Sequence, residues 1–309
     1  MQESKGVPEE LASRGSTEEA AIKRLGEYLA ARRALVSPEE VGLASDVSRR
    51  VQGLRREEVA ALASISPEYY RRLERGVGTQ PSDAVLDSLA TALRLTEHAR
   101  RHMYRLAHKR GESWPSYPVV DLHTRRMLES WSDTIAFALD RNQDLIAATE
   151  IAVAALGDAA KVGTNRLIDV AQAALVAPQE LQPLYYERMA QTAAALRYYG
   201  DPDDSRYRDI IATLAGDAEF DRIWARHDAE PFAVEPGRVW LDGEGWAEFD
   251  YEILEVPRAP GQVIISFWFP PGSSQEAFRR FTDRLAREKH ELHTGSTVVE
   301  ASPVLSQLA

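Results

Sequence analysis

The sequence predicts an α+β chain in two parts, an all-α amino-terminal domain of five helices and then an antiparallel sheet covered by helices. Three observations lead there. Apolar residues recur at helical spacing through the first third of the chain. The period changes to two over 246–256, where Phe249, Tyr251 and Ile253 alternate with Glu248, Asp250 and Glu252. Charge divides unevenly: residues 20–110 hold 17 Lys and Arg against 11 Asp and Glu, a net +6, whereas residues 111–309 hold 18 against 32, a net −14. With 309 residues there is room for two cores. The expected organisation is a disordered lead-in (1–19), a helical domain (20–110), a linker (111–118), a second domain (119–288) and a tail (289–309).

In the helical domain, Ser16 and Glu19 have capping-box spacing ahead of a first helix whose buried face is Ile22, Leu25 and Leu29, ending near Ala34. A long connection follows, with a second capping box at Ser37–Glu40 that predicts a short helical turn, and a basic pair, Arg49 and Arg50. Residues 55–63 form the next helix, with Val59, Leu62 and Ala63 facing inward. Ser66 offers an N-cap oxygen and Pro67 suits the first helical position, so a new helix starts there after only Ser64 and Ile65. A connection this short forces a steep crossing, the helix-turn-helix geometry that lays its second helix in a DNA major groove. On that second helix Tyr70 and Leu73 face inward, while Glu68, Tyr69, Arg71, Arg72 and Arg75 face outward. Gly76 and Gly78 stop it, Ser82 caps a fourth helix through Leu93, and a fifth spans 97–109.

Position along the second motif helix assigns Pro67, Glu68, Tyr69 and Arg72 to base edges, and Arg71, Arg75 and Arg56 to phosphates, with Ser66 at the cap. Arg49 and Arg50 reach a minor groove or backbone, or are simply solvated. The local positive charge is what phosphate binding by counterion release requires. The same two helices also suit an ordinary helical hairpin with a solvated basic face.

Gly111–Pro118 holds one Gly, two Ser and two Pro and marks the domain boundary. Residues 134–139 and 145–148 are short strands around a turn at 140–144. Helices dominate 150–227, among them one over 184–196, one carrying Tyr207, Ile210, Ile211 and Leu214, and one placing Phe220, Ile223, Trp224 and His227 on one face. Residues 239–241, 246–256 and 263–269 form a meander that the early pair completes to five strands. The last of these strands is apolar on both faces and therefore interior. A final helix spans 275–288.

Other chemistry is sparsely represented. The chain has no Cys, which excludes disulfide and thiolate chemistry. No apolar run approaches the roughly 18 residues of a membrane span, so a cytoplasmic protein with no membrane partner is expected. His98 and His102 have metal-ligand spacing but lack a third ligand nearby, and read as a solvated helix face. His290 and His293 fall in the tail, and Asp201, Asp203 and Asp204 read as a turn with a helix cap. Glycine-rich phosphate loops, nucleophile elbows and paired carboxylates are missing, so neither an enzyme nor a cofactor is expected.

The stretches RRVQGLRREEVAALA, SPEYYRRLERG and PSDAVLDSLATALRLTEHARRHMYRLA, with NRLIDV, ALRYYG, FDRIWARHD and PGQVIISFWFPPGS further on, resemble the MmyB-like group of actinobacterial transcription regulators within the XRE-like helix-turn-helix proteins. The resemblance covers roughly residues 20–285. It implies a lambda-repressor-like DNA-binding domain, a PAS-like ligand-binding domain and, in some members, a fatty-acid-like ligand. One departure stands out: the family's Trp-Asn pair after the second early strand is replaced by Ala147-Ala148-Thr149.

Candidate ligand residues are Arg197, Trp224, His227, Phe249, Tyr251 and Phe267. Two readings stand for Trp224 and His227. Either they face a pocket with a cation nearby for an acidic head group, or Trp224 is core and His227 places a positive charge at a helix end. Arg197 either anchors a ligand or pairs with an acid such as Asp228. The expected partners are operator DNA, a small apolar or amphipathic ligand and a second copy of the chain, since single helix-turn-helix modules read paired half-sites. The alternative makes the second domain a protein-interaction or dimerisation module without a ligand, the chain acting as an adaptor or repressor.

Overall fold

The structure is a computed structural model that describes residues 9–44, 51–78, 80–108, 119–233 and 236–295. Helix α1 (Glu9–Leu35) begins earlier than expected, so Ser16 and Glu19 lie inside the helix rather than at its cap. Ala21, Leu25, Tyr28 and Leu29 form its buried stripe. The predicted turn at Ser37–Glu40 is a 3-10 turn over Glu39–Val41, closed by Glu40 Oε2, which accepts from Ser37 N at 2.6 Å.

Helix α2 (Arg56–Leu62) and helix α3 (Pro67–Glu74) follow. Val59, Ala60 and Ala63 make the inward stripe of α2, and Leu62, expected inside, is 39% exposed because it falls off that stripe. Ser66 Oγ accepts from Tyr69 N at 3.1 Å, as its N-cap position predicts. Ser64 makes the turn with φ 55°. After α3, Gly76 (φ 65°) donates to Leu73 O and Val77 donates to Arg72 O, both at 3.0 Å, a Schellman closure. A Cβ at Gly76 would also stand 2.6 Å from Lys23 Cα, so this glycine serves both the turn and the approach of α1.

Helices α4 (Asp83–Ala92) and α5 (Glu97–Ala107) complete the first core, built around Tyr28, Leu54, Val59, Tyr70, Leu86 and Met103. Ser82 holds the N-cap position of α4, but its side chain makes no capping bond. The face of α5 expected to be solvated is packed instead. His102 is buried with its ring edge-on to Tyr28 at 5.2 Å, and His98 is half-buried, edge-on to Tyr198 at 5.5 Å.

Beyond the linker, helix α6 (Leu122–Ser130), which has no counterpart in the sequence reading, is capped by Asp121, whose carboxylate accepts from His123 N at 2.8 Å. Strands β1 (Ala136–Leu139) and β2 (Leu145–Ala148), helices α7 (Glu150–Leu156), α8 (Arg166–Val176), α9 (Gln182–Tyr199), α10 (Ser205–Leu214) and α11 (Ala218–Trp224) come next. Strands β3 (Gly237–Leu241), β4 (Gly245–Glu255) and β5 (Val263–Trp268) precede helix α12 (Ser273–Gly295). That helix extends past the expected end at Glu288 and holds the first part of the expected tail, His290 included.

Two compact units result. One contains α1–α5 and α8–α11 together with Arg141–Gln143; the other contains α6, α7, α12 and all five strands. In the first unit, α8–α11 share a second core in which Leu167, Met189, Leu196, Tyr207, Ile210 and Phe220 meet. Gln143 donates to Thr192 O at 2.8 Å there, and Asn142 to Asp204 Oδ2 at 3.2 Å. Asp204 caps α10, accepting from Arg206 N, as the aspartate-rich turn predicts.

In the second unit the antiparallel sheet has the order β2-β1-β5-β4-β3. Leu128 of α6 packs with Ala136, Ala138 and Ile264 on one face. The opposite face holds Phe137, Ile265 and Phe267, in register with Ile253 and Tyr251. Strand β5 is thus buried along most of its length between β1 and β4, as an interior strand should be.

Candidate DNA-contacting and ligand-binding sites

Helix α3 is pinned from behind by one carboxylate. The Glu74 side chain, 2% exposed, meets Arg33 Nε of α1 and Arg56 Nε of α2, each at 2.5 Å, and takes a second bond from Arg33 Nη2 at 3.3 Å. Arg33 Nη1 also donates to Leu54 O at 2.8 Å. Burial alone would raise the Glu74 carboxyl, but the hydrogen bonds and charges of Arg33 and Arg56 outweigh it and hold the group below the usual carboxylate range. Gly26 lets α1 close on this end of α3, since a Cβ there would stand 2.6 Å from Leu73 O and Glu74 O.

The other face of α3 is open. Pro67, Glu68, Arg71, Arg72 and Arg75 are exposed, and Tyr69 is half-buried against the first core. These residues do not present equal charge. Arg71 Nη1 meets Glu68 Oε2 at 2.6 Å, an i,i+3 pair along the exposed surface. Arg56 is engaged by Glu74 with half of its side chain still exposed. Arg72 and Arg75 form no ion pair among the described residues, and a Cβ at Gly78 would stand 2.9 Å from Arg72 Nη2. The Ser66 oxygen serves the cap. Arg49 and Arg50 lie outside the described residues. Glu74 is the residue the sequence reading missed, although it sits four residues after the inward Tyr70 on the same face.

Arg197, Trp224 and His227 come together in the first unit. Arg197 is buried; its Nη1 donates to Asp228 O at 2.9 Å, its Nη2 donates to Trp224 O at 2.8 Å, and its guanidinium lies 3.7 Å from the centre of the Trp224 ring. It therefore closes the carboxyl-terminal end of α11. The Asp228 carboxylate, the acid suggested for Arg197, instead meets Arg32 of α1 and Arg226 Nε, the latter at 2.8 Å. Trp224 stacks on Phe220 at 5.7 Å.

His227 has a left-handed backbone (φ 53°), and its ring lies 6.5 Å from that of Tyr28. Burial, then the charges of Arg197 and Arg32, push its pKa down to about 4. At neutral pH it carries no charge, so the helix-end positive charge of the second sequence reading is not realised there. Tyr28 donates to Ala99 O at 3.0 Å, tying α1 to α5 beside the same group.

Phe249, Tyr251 and Phe267 come together in the second unit, on one face of β4 and β5. Phe249 and Phe267 stack at 3.8 Å with 3° between planes, and Tyr251 presents its edge to them at 4.9 and 5.2 Å. Gly237 lies opposite Phe249 in the β3 register, where a Cβ would come within 2.6 Å of the ring. At the Ala147-Ala148-Thr149 departure, Thr149 Oγ1 accepts from Ala136 N and Ala152 N and donates to Thr134 O at 2.8 Å, joining β1 to the start of α7.

Residues 120–281 match the family model of the MmyB-like transcription regulator ligand binding domain, and residues 48–98 match that of a helix-turn-helix. Both families are transcription-regulator domains rather than enzyme families. No curated protein matches the chain. Among the described residues, no helix is long and apolar enough to cross a membrane.

Proposed function

Because the chain belongs to the MmyB-like transcription regulators, we propose that it reads an operator in double-stranded DNA through α3, as a homodimer, under the control of a small, largely apolar ligand of fatty-acid type. The observation that carries the DNA half is the division of α3: one face is held to α1 and α2 by Glu74, and the other offers Arg72 and Arg75 without ion-pair partners among the described residues. In this reading Arg72 reaches a base edge and Arg75 a phosphate. Arg71 and Arg56 already have acidic partners, so they contribute less to DNA affinity than their exposure suggests. Selection from random duplexes tests the reading. A recurring motif whose binding weakens steeply with salt is the expected result, and the absence of a motif, or salt-independent binding, refutes it.

The ligand half rests on the family and on the aromatic face of Phe249, Tyr251 and Phe267. The close Phe249–Phe267 stack favours a second reading, in which these rings fill their own space and the domain serves dimerisation or a protein partner. Native mass spectrometry after gentle purification separates the two. A stoichiometric bound lipid supports the ligand, and a bare protein that takes up no added fatty acid supports the interaction module.

A further inference from the structure

Residues Arg32 and Arg33 are consecutive on α1 and point to different neighbours, since successive helical residues diverge by about 100°. Arg32 holds the Asp228 carboxylate just beyond α11, and Arg33 holds Glu74 at the end of α3. Asp228 is itself fixed at two further points: Arg226 takes its other carboxylate oxygen at 2.8 Å, and Arg197 of α9 donates to its carbonyl at 2.9 Å. One turn earlier, Tyr28 of α1 touches His227 and His102. There is little slack at the far end, because the backbone of α3 meets α1 at Gly26 with no room for a Cβ.

We propose that α1 is a lever: through Arg32 and Arg33 it transmits the position of α9–α11 to α3, so that a change at Asp228 alters operator binding without touching DNA. The inference rests on the reading of α3 as the DNA-contacting helix. It adds the route by which helices of the matched ligand-binding region govern that contact. Coupling of this kind needs elements with two discrete arrangements, and in the lever that part falls to the making and breaking of these two ion pairs. Asp228 and Glu74, 154 positions apart (228 minus 74), are thereby connected through two adjacent residues of α1.

The test uses the full chain and an operator selected from random sequence. Asp228→Asn removes the charge that Arg32 holds and weakens operator binding by about fivefold or more. In a Glu74→Gln background the same substitution changes affinity by less than about twofold, because the second link has already lost its charge and one of its bonds. Arg33→Lys keeps the charge but loses the two-pronged contact, and supplies a second background that does not depend on the folding of Glu74→Gln. Equal weakening in all backgrounds, or none in the wild type, overturns the lever.

A DNA-free readout accompanies these measurements. Asp228→Asn accelerates amide hydrogen exchange at Gly76 and Val77, whose N–H groups close α3, whereas unchanged exchange there overturns the proposal. Failure of the wild-type chain to select any operator would count against the DNA reading, and the exchange experiment still decides the lever.

Discussion

Glu74→Gln isolates a carboxylate that gathers three helices, α1, α2 and α3. The wild-type side chain is 2% exposed and meets two guanidinium groups, but the two are not equivalent. The Arg56 side chain is 51% exposed, so on losing its partner it returns to water at little cost. The Arg33 side chain is 16% exposed and would remain buried with only Leu54 O in place of a counter-charge. Removing one member of a buried pair costs about 3 to 5 kcal/mol, and a glutamine that keeps one hydrogen bond places the loss near the lower end, about 3 kcal/mol. Because the folded carboxyl titrates below its unfolded value, its contribution is complete above the unfolded pKa of about 4.3 and is lost as pH falls through the folded value. Urea unfolding followed by circular dichroism should show the wild-type advantage at pH 7 and its shrinkage below about pH 4. A loss below about 1 kcal/mol at pH 7, or an equal loss from Arg56→Ala, would refute this account of how α3 is held.

Three further predictions concern the reader, the half-buried His227 and the turn. Arg72→Ala should relax sequence preference and cost about 1 to 3 kcal/mol of operator binding, whereas Arg75→Ala should weaken all sequences alike and reduce the salt slope by about 1, both measured by fluorescence anisotropy. His227, with a folded pKa of about 4, stabilises the fold fully above its unfolded pKa of about 6.5, and this is lost as pH falls through the folded value. His227→Asn, which tolerates the left-handed backbone, should flatten the pH dependence of the urea midpoint between those values, and an unaltered slope would count against its burial as neutral imidazole. Gly76→Ala should destabilise by about 2 kcal/mol or more, because strain at positive φ adds to collision with Lys23, whereas Gly42→Ala should cost only about 1 kcal/mol at a positive φ with open space around it. Equal thermal shifts for the two would remove the packing role given to Gly76.

What the sequence made legible was local chemistry. Ser66 and Pro67 fix the start of α3 from adjacent residues, and the period of two in β4 needs only its own alternation. The doubly apolar β5 likewise announced its interior place. What stayed hidden depends on partners far along the chain. Arg33 and Glu74 are 41 residues apart, and Arg32 and Asp228 are 196 apart, so no spacing rule pairs them. The inward face of α5 was missed for the same reason: His98 and His102 read as polar until the aromatic rings that cover them, Tyr198 and Tyr28, are known. Helix α6 escaped because Leu128 and Thr124 are its only buried residues, too few to set a period.

The shortness of α3 has a thermodynamic consequence. A helix of eight residues cannot sustain itself in water, where forming the first turn fixes several residues for one hydrogen bond. The helicity of Pro67–Glu74 is therefore borrowed from the docking of Tyr70, Leu73 and Glu74, and a duplex that binds only the docked form draws on the same equilibrium. Operator at a hundred times its dissociation constant would deepen that well by about 2.7 kcal/mol, so the melting temperature of the unit becomes a measure of occupancy by DNA.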